Sequence, residues 1–212
     1  MNCLLCQQFF LPSWSLSNVW TRQTVCRTCK IKFVKRGECT DCGKPGLTLC
    51  SDCQQWRRLG YDLKTDPLFL YEATAKDFLK RYKFLGDTAL LDVFKEELKK
   101  VKVKQDFIVP IPLSRERLSE RRFNQAEGIA RMMRGKVTLC LARSDGPAQS
   151  RKARRERLSR ANPYEVITSV EGKTILLVDD VYTTGTTLHQ AALRLREAGA
   201  KEISAVTLFR SV

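Results

Sequence analysis

Histidine is nearly missing from this 212-residue chain. His189 is the only one, so catalytic or metal-binding schemes built on a pair of imidazoles are excluded. Long apolar runs are missing too, since nothing approaches the roughly 18 consecutive apolar residues that a membrane-crossing helix requires. The opening residues Met1-Asn2-Cys3-Leu4-Leu5-Cys6 show no basic flank, apolar core and small-residue cleavage site of a secretory leader. The expectation is a cytoplasmic chain without membrane insertion, in which thiols stay reduced. Acidic residues are scarce, 23 against 38 Lys and Arg, which leaves a formal net charge of +15. That imbalance favours polyanionic partners such as nucleic acid or phosphates, although a basic surface that only confers solubility would carry the same count. The apolar share of 43% excludes wholesale disorder. The length allows one full α/β core with one small appended module.

Cysteine is almost absent from the larger part of the chain. Cys140 stands alone in an apolar stretch, where it reads as a small buried hydrophobe, and the other eight cysteines precede residue 54. This places a cysteine-rich module at residues 1–57 and a second domain at residues 67–212. Between them lies a polar stretch with Gly60, followed by Pro67. The eight form four Cys-x-x-Cys pairs: Cys3/Cys6, Cys26/Cys29, Cys39/Cys42 and Cys50/Cys53. A two-residue spacer lets one tight turn direct both sulfurs at a single ion, and four pairs suffice for two tetrahedral all-thiolate zinc sites. Sequential pairing closes shorter loops than a cross-brace and is favoured on chain entropy. Redox-active dithiols are the competing reading, but they need only one pair and leave three as bystanders. Thiolates fill every ligand position, so the two zinc ions are expected to be structural, folding a module too small to have much core of its own.

Beyond the module, strand-like and helix-like segments alternate. Leu68–Tyr71, Phe107–Ile111, Val137–Leu141, Thr174–Val178 and Ile203–Phe209 read as strands. Two amphipathic helices fit residues Lys76–Leu98 with a break near Gly86, and further helices fit Phe123–Met133 and the segment carrying Leu188, Ala191, Ala192 and Leu195, ended by Gly199. This order implies a mainly parallel sheet covered on both faces, with ligands at the carboxyl ends of its strands, in the loops after Ile111 and Val178.

The most informative segment is Ile175-Leu176-Leu177-Val178-Asp179-Asp180-Val181-Tyr182-Thr183-Thr184-Gly185-Thr186-Thr187. Gly185 permits close approach of backbone to an anion. Thr183, Thr184, Thr186 and Thr187 supply hydroxyl donors, and a helix starting near Thr187 offers free N–H groups and a positive dipole end. Asp179 and Asp180 would repel that phosphate but can accept hydrogen bonds from the two hydroxyls of a ribose. A threonine-rich cap with solvated acids is the alternative. The segment resembles the phosphoribosyl-pyrophosphate signature of type I phosphoribosyltransferases, with Tyr182 where that family usually has an aliphatic residue. The resemblance implies an α/β fold: a parallel-sheet type I phosphoribosyltransferase-like domain preceded by a small cysteine-rich zinc-ribbon module. It also implies ribose binding by Asp179 and Asp180, 5′-phosphate binding by residues 183–187, and magnesium bound with the sugar phosphate.

Upstream, Val109-Pro110-Ile111-Pro112-Leu113-Ser114, then Arg115, Arg117, Arg121 and Arg122, then Phe123-Asn124-Gln125, looks like the pyrophosphate side, with Ser114 and Arg115 as candidate contacts. Together with Gln149, Arg157, Asn162, the phosphate loop and the double zinc ribbon, this set resembles the ComF family over nearly the whole chain. That resemblance implies a role in natural competence, in which single-stranded DNA is brought into the cytoplasm beside a ComFA-type ATPase. The alternative is an active phosphoribosyltransferase of nucleotide salvage or of an unknown acceptor. Against salvage, little chain follows Phe209 that could form a base-specific hood. The basic run Arg151-Lys152-Ala153-Arg154-Arg155-Glu156-Arg157 can close over pyrophosphate, grip a DNA backbone or form a solvated helix face. No aromatic residue interleaves it, so base stacking is not indicated. His189 reads as ordinary helix surface.

Overall fold

The computed structural model describes residues 1–12, 23–30, 32–144 and 162–212. The basic run with Arg151, Lys152, Arg154, Arg155 and Arg157, and also Gln149, lies outside the described residues.

Four parallel strands form the central sheet: β1 (Thr65–Leu70), β2 (Phe107–Pro110), β5 (Thr174–Tyr182) and β6 (Glu202–Arg210), in the order β1-β6-β5-β2. Short β3 (Leu141–Arg143) and β4 (Tyr164–Val166) pair antiparallel in a separate hairpin. Apolar residues on both faces of β5 make it the sheet's central element, because its odd and even positions enter different cores. Ile175 and Leu177 pack with Leu188, Ala191, Ala192 and Leu195 of a helix at Thr186–Glu197. Leu176 and Val178 pack on the other side with Phe78, Leu79 and Tyr82 of α3 (Ala73–Phe84) and with Ile129 and Ala130 of α6 (Gln125–Met132). The remaining helices are α1 (Arg27–Lys30), α2 (Ser51–Arg58), α4 (Lys95–Lys100) and α5 (Arg115–Arg121), and the Thr186–Glu197 helix is α7. A sheet covered on both faces is what near-continuous apolar strands require. Among the described residues no helix is long and apolar enough to cross a membrane.

Several segments differ from the sequence reading. The strand expected at Thr174–Val178 runs on to Tyr182, because Val181 and Tyr182 pair with Phe209 and Arg210, so the two acids lie inside the strand. The second of the two helices expected before Leu98 is a 3-10 turn at Thr88–Phe94 followed by α4. Val137 makes only an isolated parallel bridge to Ile108, and the strand expected there begins at Leu141 and runs antiparallel. Helix α5 was not expected, since Leu118 is its one apolar residue and is itself exposed.

The cysteine-rich region straddles the β1 edge of the sheet. Lys35 bridges Phe69, and the Leu70 amide donates to the Val34 carbonyl at 2.8 Å, so residues 34–35 continue the sheet and cover an edge that would otherwise be open. Phe33 enters the aromatic cluster at 4.8 Å from Phe94 and 5.6 Å from Phe69, centroid to centroid. Cys39, Cys42, Cys50 and Cys53 belong to the core on the α7 face. The first cluster sits against the opposite side, where Arg81 donates to the Leu5 carbonyl and Thr24 to that of Asp92. Truncating Phe33 to Ala should therefore loosen the region from the sheet and cost about 3 kcal/mol. Urea unfolding with zinc in excess measures this, and an unchanged midpoint would show that the edge contact contributes little.

Candidate functional site

Because β2 and β5 are parallel neighbours, their carboxyl ends lie side by side, joined by the Ile111 amide donating to the Val178 carbonyl at 2.9 Å. A cleft of about 250 Å³ opens there, lined on one side by Asp179, Asp180, Thr183 and Thr187 and on the other by the loop after β2. Asn124 sets that second wall. Its side-chain oxygen caps α6 by accepting from the amides of Ala126 and Glu127, and its amide donates to the Ile111 carbonyl at 3.0 Å. One residue thus ties the strand end to the helix below it.

Among the described residues, four cations line the cleft: Lys83, Arg117, Arg121 and Arg143. Lys83 reaches over from α3 to pair with Asp180, both side chains being largely buried. Arg121 donates to Gln125 at 3.0 Å and keeps a buried Nε without a protein partner. Asp179 is partly buried and accepts from the Asp180 amide at 2.8 Å. Burial, then the neighbouring Asp180 carboxylate, pushes its carboxyl up to about 8. One acid of the pair is therefore neutralised by a proton and the other by Lys83.

The 183–187 turn bends sharply at Gly185, whose φ of 81° lies in the left-handed region and where a Cβ would collide with the Tyr182 hydroxyl. Tyr182, the departure from the usual aliphatic residue, is fully buried and packs behind this turn. Helix α7 begins directly after it, and the Thr184 and Thr186 hydroxyls bond each other at 2.9 Å. Thr183 and Thr187 face the cleft, whereas Thr184, Gly185 and Thr186 form the turn. Ser114 caps α5 by accepting from the Arg117 amide. Neither Ser114 nor Arg115 lines the cleft, which takes Arg117 and Arg121 from the same segment.

His189 departs from expectation. It is buried, stacked 4.0 Å from Trp56, with Nδ1 2.9 Å from the Gly185 carbonyl. Burial pushes its imidazole down to about 4, so it is neutral and carries its proton on the Nδ1 that donates. Sequence reasoning also missed Lys83 and Trp56, which reach the site from distant segments. Asn162 donates to the Gln190 carbonyl at 2.7 Å and accepts from Tyr164, holding the hairpin to α7. Cys140 is fully buried, and burial pushes its thiol up to about 11, as befits a core residue.

The cysteines gather as two sets of four, Cys3, Cys6, Cys26 and Cys29, then Cys39, Cys42, Cys50 and Cys53, with ligand atoms within 4.8 Å of one another in each. This is the sequential pairing. In the second set, neighbouring sulfurs stand 3.6, 3.7 and 3.8 Å apart. A tetrahedron with Zn–S bonds of about 2.3 Å has edges of about 3.8 Å, so both the donor chemistry and the spacing fit zinc.

The phosphoribosyl transferase domain model matches residues 93–211. Competence protein ComFC of Streptococcus pneumoniae is 39% identical over 99% of this chain and all of its own length. Competence protein ComFC of Bacillus subtilis is 37% identical over 99% of this chain and 95% of its own. Among solved structures, the allosteric regulatory enzyme of purine biosynthesis aligns with 54% of this chain and 24% of its own, at 25% identity and a TM-score of 0.40. With a phosphoribosyl transferase domain behind two four-cysteine clusters, and full-length identity of this order, the chain belongs to the ComFC family of competence proteins.

Proposed function

We propose that this chain assists uptake of single-stranded DNA in natural transformation and that its cleft binds phosphoribosyl pyrophosphate. The competence role follows from the full-length relatives. The ligand follows from one observation: two adjacent carboxylates, four cations and a threonine turn at a helix N-terminus converge on a single cleft. Asp179 and Asp180 accept from the ribose hydroxyls. Thr183 and Thr187, with the amides of the 183–187 turn, hold the 5′-phosphate at the positive end of α7. Arg117, Arg121 and Arg143 face the pyrophosphate, while Ser114 and Arg115 organise the start of α5 beside it. Lys83 exchanges its contact with Asp180 for a ligand oxygen.

Two structural zinc ions hold the cysteine-rich module of residues 1–57 against the transferase-like domain of residues 67–212. Among the described residues, Asp179 and Asp180 are the only carboxylates lining the cleft, and Asp180 is paired with Lys83. They form no cage for a hard cation, so magnesium arrives on the ligand's own oxygens. Arg151, Lys152, Arg154 and Arg155 contact the DNA backbone. The protein works in the cytoplasm beside a ComFA-type ATPase.

Incubation with phosphoribosyl pyrophosphate and magnesium, with and without single-stranded DNA and nucleobases, separates binding from turnover. Calorimetric binding without pyrophosphate release marks a sensor or coupling protein. Release that depends on an added acceptor marks the alternative, an active transferase. Absence of binding sinks the ligand assignment.

Asp179 carries a second expectation, for the ligand-free protein. Its folded value of about 8 exceeds the unfolded value of about 3.9, so folding favours the protonated acid. The stability this contributes is complete below about pH 4 and is lost as pH rises through about 8. Asp179→Asn should therefore raise the melting temperature at about pH 8.5 by several degrees, change it less at about pH 5, and abolish sugar-phosphate binding. Wild-type melting at both pH values with retained affinity contradicts the assignment.

Changing Arg151, Lys152, Arg154 and Arg155 to Glu should flatten the dependence of single-strand affinity on salt. The expected loss of slope is roughly 0.7 per lost phosphate contact, about 3 for all four. A gel-shift series with an unaltered slope would return the run to a solvated surface.

A further inference from the structure

The back of the phosphate loop is held by the cysteine-rich region. Arg210, fully buried at the end of β6, donates through Nη1 to the carbonyls of Tyr182 at 3.3 Å and Thr183 at 3.0 Å. Its Nε donates to the Cys42 sulfur at 3.3 Å, and its guanidinium lies 4.8 Å from the centre of the Tyr182 ring. Trp56, three residues beyond Cys53 on α2, donates its indole N–H to the Thr184 carbonyl at 2.9 Å. The ring stacked on it, His189, holds the Gly185 carbonyl. Four successive carbonyls, Tyr182 to Gly185, are thus drawn toward the second cysteine cluster and α7.

In a planar trans peptide the carbonyl of one residue and the amide of the next point in opposite directions. Holding these four carbonyls at the back therefore turns the amides of Thr183, Thr184, Gly185 and Thr186 to the other side of the loop. Those of Thr183, Thr184 and Gly185 have no backbone acceptor among the described residues. Successive free amides at the mouth of a helix form a concavity suited to an anion.

Electrostatics links the same parts. A buried guanidinium is costly unless compensated, and Asp52 stands 3.8 Å from Arg210, with Nη2 lacking a hydrogen-bond partner. Four thiolates around one divalent ion carry a net charge of −2, and Arg210 is the buried cation touching one of them. The cluster's charge holds Arg210, and Arg210 holds the loop.

We propose that the second cysteine cluster, metal-loaded, positions the phosphate loop through Arg210 and Trp56, so that anion affinity depends on an ion that never touches the ligand. Arg210 and Trp56 are positioning residues. The inference deepens the sugar-phosphate reading and rests on it for its ligand.

The test uses full-length protein carrying Trp56→Phe, which preserves a ring against His189 but removes the indole donor, or Arg210→Lys, which retains a cation but removes the fork. Zinc content and thermal melting are recorded first, then ribose 5-phosphate affinity by calorimetry. The expected result is two zinc ions per chain in each variant with affinity reduced about tenfold, the loss equivalent to one net hydrogen bond. Wild-type affinity in both variants overturns the proposal. A second arm needs no ligand: the amide resonances of Thr183 to Thr186 are compared between wild type and Arg210→Lys, both zinc-loaded. Displaced resonances support the coupling and superimposable ones overturn it. If wild-type protein binds no ribose 5-phosphate, the ligand assignment fails and this arm alone decides whether the cluster sets the loop.

Discussion

Two carboxylates on successive residues of a buried strand cannot both remain charged without help, and the architecture around the cleft follows from that constraint. Asp179 is pushed up to about 8, and Asp180 is met by Lys83 from a helix on the other side of the sheet end. A sequence selected only for stability would place apolar residues at the end of such a strand, since ion pairs in a dry interior seldom repay their desolvation. Retaining the acids makes sense where a ligand supplies hydroxyl donors to one side and its own anionic groups to the surrounding cations. The pair of acids and the positive wall form a single arrangement, each part unfavourable without the other.

The parallel sheet brings these groups together. Pairing of β2 with β5 sets two loops edge to edge, and the α7 face and the α3 and α6 face each add components to the junction. From the first comes the N-terminus of α7 with its threonine turn, and from the second comes Lys83. The cysteine-rich region reaches both faces by wrapping the β1 edge, which places one four-cysteine cluster behind the 183–187 turn and the other beside α3 and the 3-10 turn. The second cluster is more than the centre of a small appendage, because buried Arg210 touches both Cys42 and the Thr183 carbonyl and so joins the cluster to the 183–187 turn.

Much of this was legible in the sequence where the information is local. The run Ile175–Val178 announces a strand buried on both faces, and the acids, threonines and Gly185 after it form a motif whose chemistry is carried by adjacent residues. The Cys-x-x-Cys spacing likewise encodes its own geometry. What escaped was non-local. His189 looks like a polar residue beside an apolar stripe, and only Trp56, 133 positions earlier, makes it part of the core. Lys83 reads as one more solvated lysine until β5 places Asp180 opposite it. Arg210 lies just past the run Ile203–Phe209 and carries no local signal of burial, yet it is fully buried because Cys42 and the loop carbonyls surround it. Helix α5 was hidden because it buries nothing, and its one local signal is Ser114 in the capping position.

The most direct measurement is a crystal structure of the zinc-loaded protein with phosphoribosyl pyrophosphate and magnesium. The account predicts ribose hydroxyls on Asp179 and Asp180, the esterified phosphate within hydrogen-bond distance of the Thr183–Thr187 turn, and Lys83 swung onto a ligand oxygen. Ligand density elsewhere, with Lys83 still locked on Asp180 and the turn bare, would contradict it.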